Sequence, residues 1–263
     1  MRKTIALLLA LSFLMALAPV SALAASRTFK FDKTAKVDRG YVTISWVDSA
    51  NYGPYEVSYS YDNSSTQSKV HYWANGNSSN STTSSKSLTL KLLIPGVDYI
   101  IRVEDKYGNK IEATYTMYDA GTFEDGRLKA SSLTLESEYR SYSKNASDKT
   151  AKKVSSFKAS TIENNLSSTN YGIYFKINYP KLARARTYRM LVATVAPNGY
   201  RVVDTSDSLS FEYTSGGYYY YYCLGEHIFD TLYENCGYIP TGTYRMELYL
   251  DGMYVGKRTF TVK

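Results

Sequence analysis

The stretch Leu93-Ile94-Pro95-Gly96-Val97-Asp98-Tyr99 narrows more than any other what this chain can become. Pro95 fixes φ and Gly96 tolerates a turn, and after them Tyr99, Ile101 and Val103 alternate with Ile100, Arg102 and Glu104, the pattern of a half-buried strand. The same order returns near the C-terminus, where Ile239-Pro240-Thr241-Gly242-Thr243-Tyr244 precedes an alternation of Tyr244, Met246, Leu248 and Leu250. A Pro-Gly turn that aims a Tyr-led strand into a core, used twice, predicts two β modules.

The N-terminus predicts the compartment. Arg2 and Lys3 precede an apolar run from Ile5 to Leu17 that ends in the small-residue pattern Ala22-Leu23-Ala24. That is the form of a secretory signal peptide, residues 1–24, cleaved after Ala24; the apolar run is short for a bilayer span. Neither a second long apolar segment nor a lipid-accepting Cys follows it, so the mature chain is expected to be secreted without an anchor.

The formal charge of +7, less the charges of Arg2 and Lys3, leaves +5 on the mature chain. Lys and Arg are mostly interleaved with Asp and Glu, and the basic cluster of Lys181, Arg184, Arg186 and Arg189 sits in no nucleic-acid motif, so it reads as a solvated face. Attraction to acidic glycans or an anionic envelope stays open. Roughly 240 residues suffice for one large or two ordinary domains. The 28 Tyr and the scarcity of helix-periodic segments favour strands.

After the leader, Arg27 to Asp32 reads as an edge strand, and Tyr41 to Val47 puts Val42, Ile44 and Trp46 on one face. Tyr55, Val57, Tyr59 and Tyr61 share a face in the next run, Lys69 to Trp73 is a short strand, and residues 75–85 form a polar loop. Strands at Ser87 to Leu92, Tyr99 to Glu104 and Lys110 to Met117 complete an antiparallel sandwich. A Trp closing the second strand (Trp46), a Tyr opening the third (Tyr55) and Leu93-x-Pro95-Gly96-x-x-Tyr99 before the sixth resemble the fibronectin type III module over about residues 28–118. The resemblance implies a tyrosine corner, with the Tyr99 hydroxyl turned back to the backbone near Pro95. The Arg-Gly-Asp adhesion tripeptide of that family does not occur.

Gly121 and Gly126 bracket an expected linker at 119–127 between a first domain at 25–118 and a second at 128–263. In the second, Leu133, Leu135 and Tyr139 alternate, 143–153 is a polar loop, and Tyr171, Ile173, Phe175, Ile177 and Tyr179 share a strand face. Pro180 to Ala185 is read as one helical turn. Asn198-Gly199 is a two-residue hairpin signal between Tyr188–Val195 and Tyr200–Val203, and Ser208 to Tyr213 alternates again. Leu224, Ile228 and Leu232, with Phe229, Tyr233 and Cys236, form a helical stripe capped by Gly237, and a hairpin turning at Asp251-Gly252 closes the chain. This half is Ig-like by pattern and matches no named family. The expected fold is all-β: two tandem antiparallel sandwiches of a secreted, bacterial type of protein.

Cys223 and Cys236 flank that helix. In an exported protein a disulfide between them is favoured, stabilising by about 3 kcal/mol through lost unfolded-chain entropy. A zinc site with Glu226 and His227 fits no structural spacing, and two free thiols remain the third option. With two His residues in the chain, no Gly-x-Ser-x-Gly, no His-Glu-x-x-His and no phosphate loop, no enzyme, metal or cofactor is expected; a glycosidase-type carboxylate pair distant in sequence is the alternative. Aromatics are the stronger lead. His71 and Trp73, with Tyr59 and Tyr61 on the neighbouring strand, suit a sugar ring or a protein partner, the competing reading being a Trp73 that covers the core. In the run Tyr218 to Tyr222, alternate members must face opposite ways, and Tyr219 and Tyr221 are taken as a contact patch or a packing surface. Trp46, Tyr99 and Tyr244 are structural. The expected function is non-catalytic recognition of an extracellular protein or glycan, with a hydrolase or a purely structural spacer as the other classes.

Overall fold

The computed structural model describes residues 27–32, 36–61, 70–73, 82–91, 93–117, 119–126, 128–140, 153–166, 172–211 and 217–263, with backbone alone at 70–73, 205–207 and 217–226. The expected leader at 1–24 and most of the polar loops at 75–85 and 143–153 lie outside the described residues.

In chain order the first module contains β1 (Phe29–Phe31), β2 (Lys36–Asp38), β3 (Tyr41–Asp48), β4 (Tyr55–Tyr61), β5 (Val70–Trp73), β6 (Thr82–Thr83), β7 (Ser87–Leu90), β8 (Asp98–Glu104) and β9 (Lys110–Thr116). One sheet joins β1, β2 and β7 to β3; the other runs β5-β4-β8-β9, with β6 on β4, and every pairing is antiparallel. Their facing sides hold the core. Val42, Ile44 and Trp46 of β3 meet Tyr55, Val57, Tyr59 and Tyr61 of β4 and Tyr99, Ile101 and Val103 of β8, each buried at a period of two. The expected polar loop is interrupted by β6, which pairs with Tyr55 and Glu56.

The second module contains β10 (Glu124–Asp125), β11 (Leu128–Lys129), β12 (Thr134–Arg140), α1 (Ala159–Glu163), β13 (Gly172–Tyr179), β14 (Arg186–Val195), β15 (Arg201–Phe211), β16 (Gly217–Leu224), α2 (Gly225–Cys236), β17 (Gly242–Leu250) and β18 (Met253–Val262). Two antiparallel sheets, β12-β13-β16 and β15-β14-β17-β18, enclose a core to which α2 contributes Ile228, Phe229 and Leu232. The chain is all-β in class.

Several expectations change here. Residues of the expected linker at 119–127 pair with the second module. Tyr254 donates its N–H to the Gly121 carbonyl (2.8 Å), Phe123 donates to Tyr254 (2.7 Å), and Phe123 is buried in the second core. Pro180 to Ala185 forms no helix, while α1 arises where no helical period was read. β15 runs unbroken through two stretches that alternate separately in the sequence. The two-residue Asp251-Gly252 turn forms as expected, with positive φ at both residues. The expected Asn198-Gly199 hairpin is instead a three-residue loop: Gly199 donates its N–H to the Ala196 carbonyl (2.9 Å), which makes Pro197 and Asn198 the central residues, and of the pair only Gly199 has positive φ. Gly237, in the left-handed region at φ 75°, donates to the Tyr233 carbonyl and ends α2, but Tyr233 itself faces solvent.

The tyrosine corner appears in both modules with opposite polarity. Tyr99 Oη accepts the Ile94 N–H at 2.6 Å, whereas Tyr244 Oη donates to the Pro240 carbonyl at 2.7 Å; both rings are fully buried. Trp46 packs edge-on against Tyr55 at 5.4 Å, deep in the first core.

The two modules touch. Ile94, beside the first Pro-Gly turn, packs on Ala193 of β14 and Tyr249 of β17, on the outer face of the four-stranded sheet. Tyr61 Oη reaches across to donate to the Arg201 carbonyl (3.0 Å). Two hairpin tips meet beside this patch: a Cβ on Gly40 would lie 2.8 Å from the Gly252 nitrogen, and Arg39 grips both Asp251 oxygens at 2.9 Å. In return Arg189 donates to Asp38 and stacks over Tyr41, 4.1 Å from its centroid. One face of the second sandwich is therefore occupied by the first.

Candidate functional site

The outer face of the other sheet, β12-β13-β16, gathers polar and aromatic groups. On β13 the strand pleat buries Ile173, Phe175 and Ile177 completely and turns the half-buried Tyr174, Lys176 and Asn178 to the opposite face. On β12, Glu136, Glu138 and Arg140 alternate with the buried Leu135 in the same manner, and the register sets Glu136 against Lys176 and Glu138 against Tyr174. A groove of about 440 Å³ lies here, floored by Glu136, Glu138, Tyr174 and Lys176 and walled by Lys153 and Val154. Val154 is held to β12 by its N–H on the Tyr139 carbonyl (2.9 Å).

Charge in the groove is internally matched. Glu136 accepts from Lys176 (3.2 Å) and from Asn178 Nδ2 (2.7 Å), and Glu138 accepts from Lys153 (2.6 Å) and Arg140 (2.9 Å). Those donors, Lys176 first for Glu136 and Lys153 first for Glu138, hold both carboxyls below the ordinary carboxylate range. A glycosidase pair needs one acid held protonated near neutrality, and neither of these is. The guanidinium of Arg140 lies 5.4 Å from the Tyr174 ring centroid, so a cation borders the half-buried ring.

β16 extends this face. Its backbone register sets Tyr218, Tyr220 and Tyr222 opposite Asn178, Lys176 and Tyr174, and sets Tyr219 and Tyr221 opposite Ile177 and Phe175. Directly paired residues of an antiparallel sheet share a face. Of the expected contact residues, Tyr219 and Tyr221 thus hold register positions beside Ile177 and Phe175, while Tyr218, Tyr220 and Tyr222 hold those beside Asn178, Lys176 and Tyr174.

The expectation for Tyr59 and Tyr61 is corrected. Both are buried in the first core, edge-on to Tyr99 at 5.6 and 5.3 Å, and burial drives the Tyr59 phenol well above its ordinary pKa. His71 and Trp73 stand in register opposite Ser60 and Ser58, whereas Tyr72 and Val70 stand opposite Tyr59 and Tyr61.

The disulfide is not formed. Cys236 is a free thiol, 3.5 Å from Asn198 Nδ2, because the whole of α2 separates it from Cys223. Twelve residues of α-helix span roughly 17 Å, far beyond the ~7 Å over which Cα atoms can be bridged. The same helix separates His227 from Cys236 by more than two turns, His227 Nε2 lies 3.3 Å from the Val203 carbonyl, and no group able to hold a metal occurs among the described residues. The basic cluster is dispersed, Arg186 onto Asp125 (2.7 Å) and Arg189 onto Asp38. No described helix is long and apolar enough to cross a membrane.

No family model matches the chain, and no curated protein does. Among solved structures it is similar to the chicken interferon gamma receptor alpha chain, at 7% identity and a TM-score of 0.23, over 88% of this chain and 96% of that one. It is also similar to a carbohydrate-binding module of the β-sandwich superfamily, at 12% identity and a TM-score of 0.21, over 89% and 93%. At those scores neither likeness carries an argument, and the all-β assignment rests on the sheets themselves.

Proposed function

We propose that the protein is a secreted, non-catalytic binding protein whose ligand is an extracellular glycan seated on the outer face of β12-β13-β16. The observation that carries this reading is the groove, where the half-exposed Tyr174 ring stands among Lys176, Glu136 and Glu138 next to three tyrosine register positions on β16. A sugar ring offers an apolar C–H face and a rim of hydroxyls. Tyr174 suits the first, and the Lys, Glu and Asn side chains around it suit the second. Export rests on the leader pattern at 1–24, and the non-catalytic reading on a sequence without a recognised catalytic motif.

An array of bacterial, plant and animal glycans, beside a panel of extracellular proteins, tests it. Binding to a glycan that falls at least tenfold in Tyr174→Ala supports the proposal. Binding to proteins alone moves the ligand class. Binding to nothing leaves a spacer whose role is the fixed angle between its modules, a reading that the clamp of Arg39 on Asp251 favours.

A further inference from the structure

Tyr107 is the most exposed large apolar residue among those described, at 65%. It stands at the tip of the β8–β9 turn, far in sequence from the groove residues, and it is not loosely held. Its ring meets Tyr52 of the β3–β4 loop edge-on at 4.8 Å, and the Lys106 N–H donates to the Tyr52 carbonyl (3.2 Å).

Beneath the pair lies a charge network that fixes both loops. Asp105 Oδ1 accepts the N–H groups of Tyr107 (2.8 Å) and Asn109 (3.0 Å), and Asp105 Oδ2 accepts Asn109 Nδ2 (2.8 Å). Asp48 plays the same part for the other loop, accepting the N–H groups of Ala50 (3.0 Å) and Tyr52 (2.7 Å) and the Tyr55 hydroxyl (2.9 Å). Arg27 bridges the two carboxylates, 2.9 Å from Asp48 and 2.6 Å from Asp105, with its guanidinium stacked 4.4 Å from the Phe29 centroid and 4.5 Å from that of Tyr52. Both Asp side chains are fully buried. Burying two carboxylates and most of an arginine is costly. Their effect is to hold two loops so that the half-buried Tyr52 props Tyr107 in solvent, an ordering that a ligand then need not supply.

The Lys106 ammonium lies 5.0 Å from the Tyr107 centroid, and Lys106 is exposed. A cation over a solvent-exposed ring is weakly held, so it is free to turn to an anion that arrives at the ring. From this geometry we infer a second carbohydrate site at the loop end of the first module, one that stacks a sugar on Tyr107 and pairs the sugar's carboxylate with Lys106. Its ligand class is the uronic-acid-containing saccharide. The site is independent of the groove proposed above, since it shares no residue with it.

Calorimetric titration of the full chain with an oligogalacturonate, and with a cello-oligosaccharide of equal length, tests the inference. The uronate is expected to bind the more tightly. Tyr107→Ala should weaken it tenfold or more with the thermal midpoint unchanged, Lys106→Gln should abolish the preference for the acidic sugar, and Tyr174→Ala should leave uronate binding as it was. Loss of uronate binding in Tyr174→Ala but not in Tyr107→Ala would assign the ligand to the groove and overturn the inference. So would a wild-type chain that ignores the uronate, or a preference that survives in Lys106→Gln.

Discussion

Arg39 of the first module holds both carboxylate oxygens of Asp251 in the second, Nε on one and Nη2 on the other, each at 2.9 Å. Both residues sit in two-residue hairpin turns with positive φ, and behind them Gly40 and Gly252 touch backbone to backbone. The contact is possible because neither glycine has a Cβ. At Gly40 a methyl group would also fall in the left-handed region, at φ 81°. Gly40→Ala is expected to cost about 2 kcal/mol and to let the modules unfold separately, which calorimetry would register as two transitions in place of one. Arg39→Ala should cost much less, about 0.5 kcal/mol, because that pair is half exposed and screened by solvent; its effect should shrink further in salt.

The paired tyrosine corners predict unequal losses. Tyr99→Phe strands the buried Ile94 N–H, whereas Tyr244→Phe strands a carbonyl at Pro240. An unsatisfied buried group costs about 1–3 kcal/mol, with the donor the less tolerant of the two, so Tyr99→Phe should be the more destabilising in denaturant titration. Neither change should alter ligand binding.

Acid should attack the first module through Asp48 and Asp105. The Arg27 hydrogen bond, joined by the backbone donors of Tyr52 and Ala50, holds Asp48 well below the usual carboxylate range, and Asp105 is held down by Asn109, Tyr107 and Arg27 against the opposing effect of burial. A carboxyl depressed in the folded state binds fewer protons than in the unfolded chain, so its contribution is complete above pH ~4 and drains away as pH falls further. Stability of the wild-type chain should drop steeply below pH 4. Asp48→Asn should be less stable at neutral pH but show a flatter acid limb in melts taken across that range.

Cys236 as a free thiol predicts that the denatured chain takes up the same number of alkyl groups with and without prior reduction. Cys236→Ser should cost well under the about 3 kcal/mol that loss of a disulfide would bring.

Much of this architecture was legible in the sequence because period-two patterns are local: Val42, Ile44 and Trp46, or Ile173, Phe175 and Ile177, declare their inward face without knowledge of any partner strand. The candidate site was legible only in part. Tyr174, Lys176 and Asn178 are the complement of a core stripe that the sequence displays, and their outward position follows from it. Five consecutive tyrosines carry no parity of their own, so only pairing with β13 tells Tyr220 from Tyr221. Tyr59 and Tyr61 misled for the reverse reason: their alternation is genuine, but a tyrosine stripe suits a large core as well as a binding face, and Tyr99 from β8 closes over it. The Arg27 bridge joins residues 21 and 78 positions apart, which no local pattern can announce.

Hydrogen exchange measured on the full chain, with and without an uncharged glycan found by the array, tests the central claim most directly. Backbone protection confined to residues 136–140, 174–178 and 218–222 is the predicted footprint, with residues 58–60 and 71–73 unchanged. A footprint on 58–60 and 71–73 that spares β12, β13 and β16 would contradict the account.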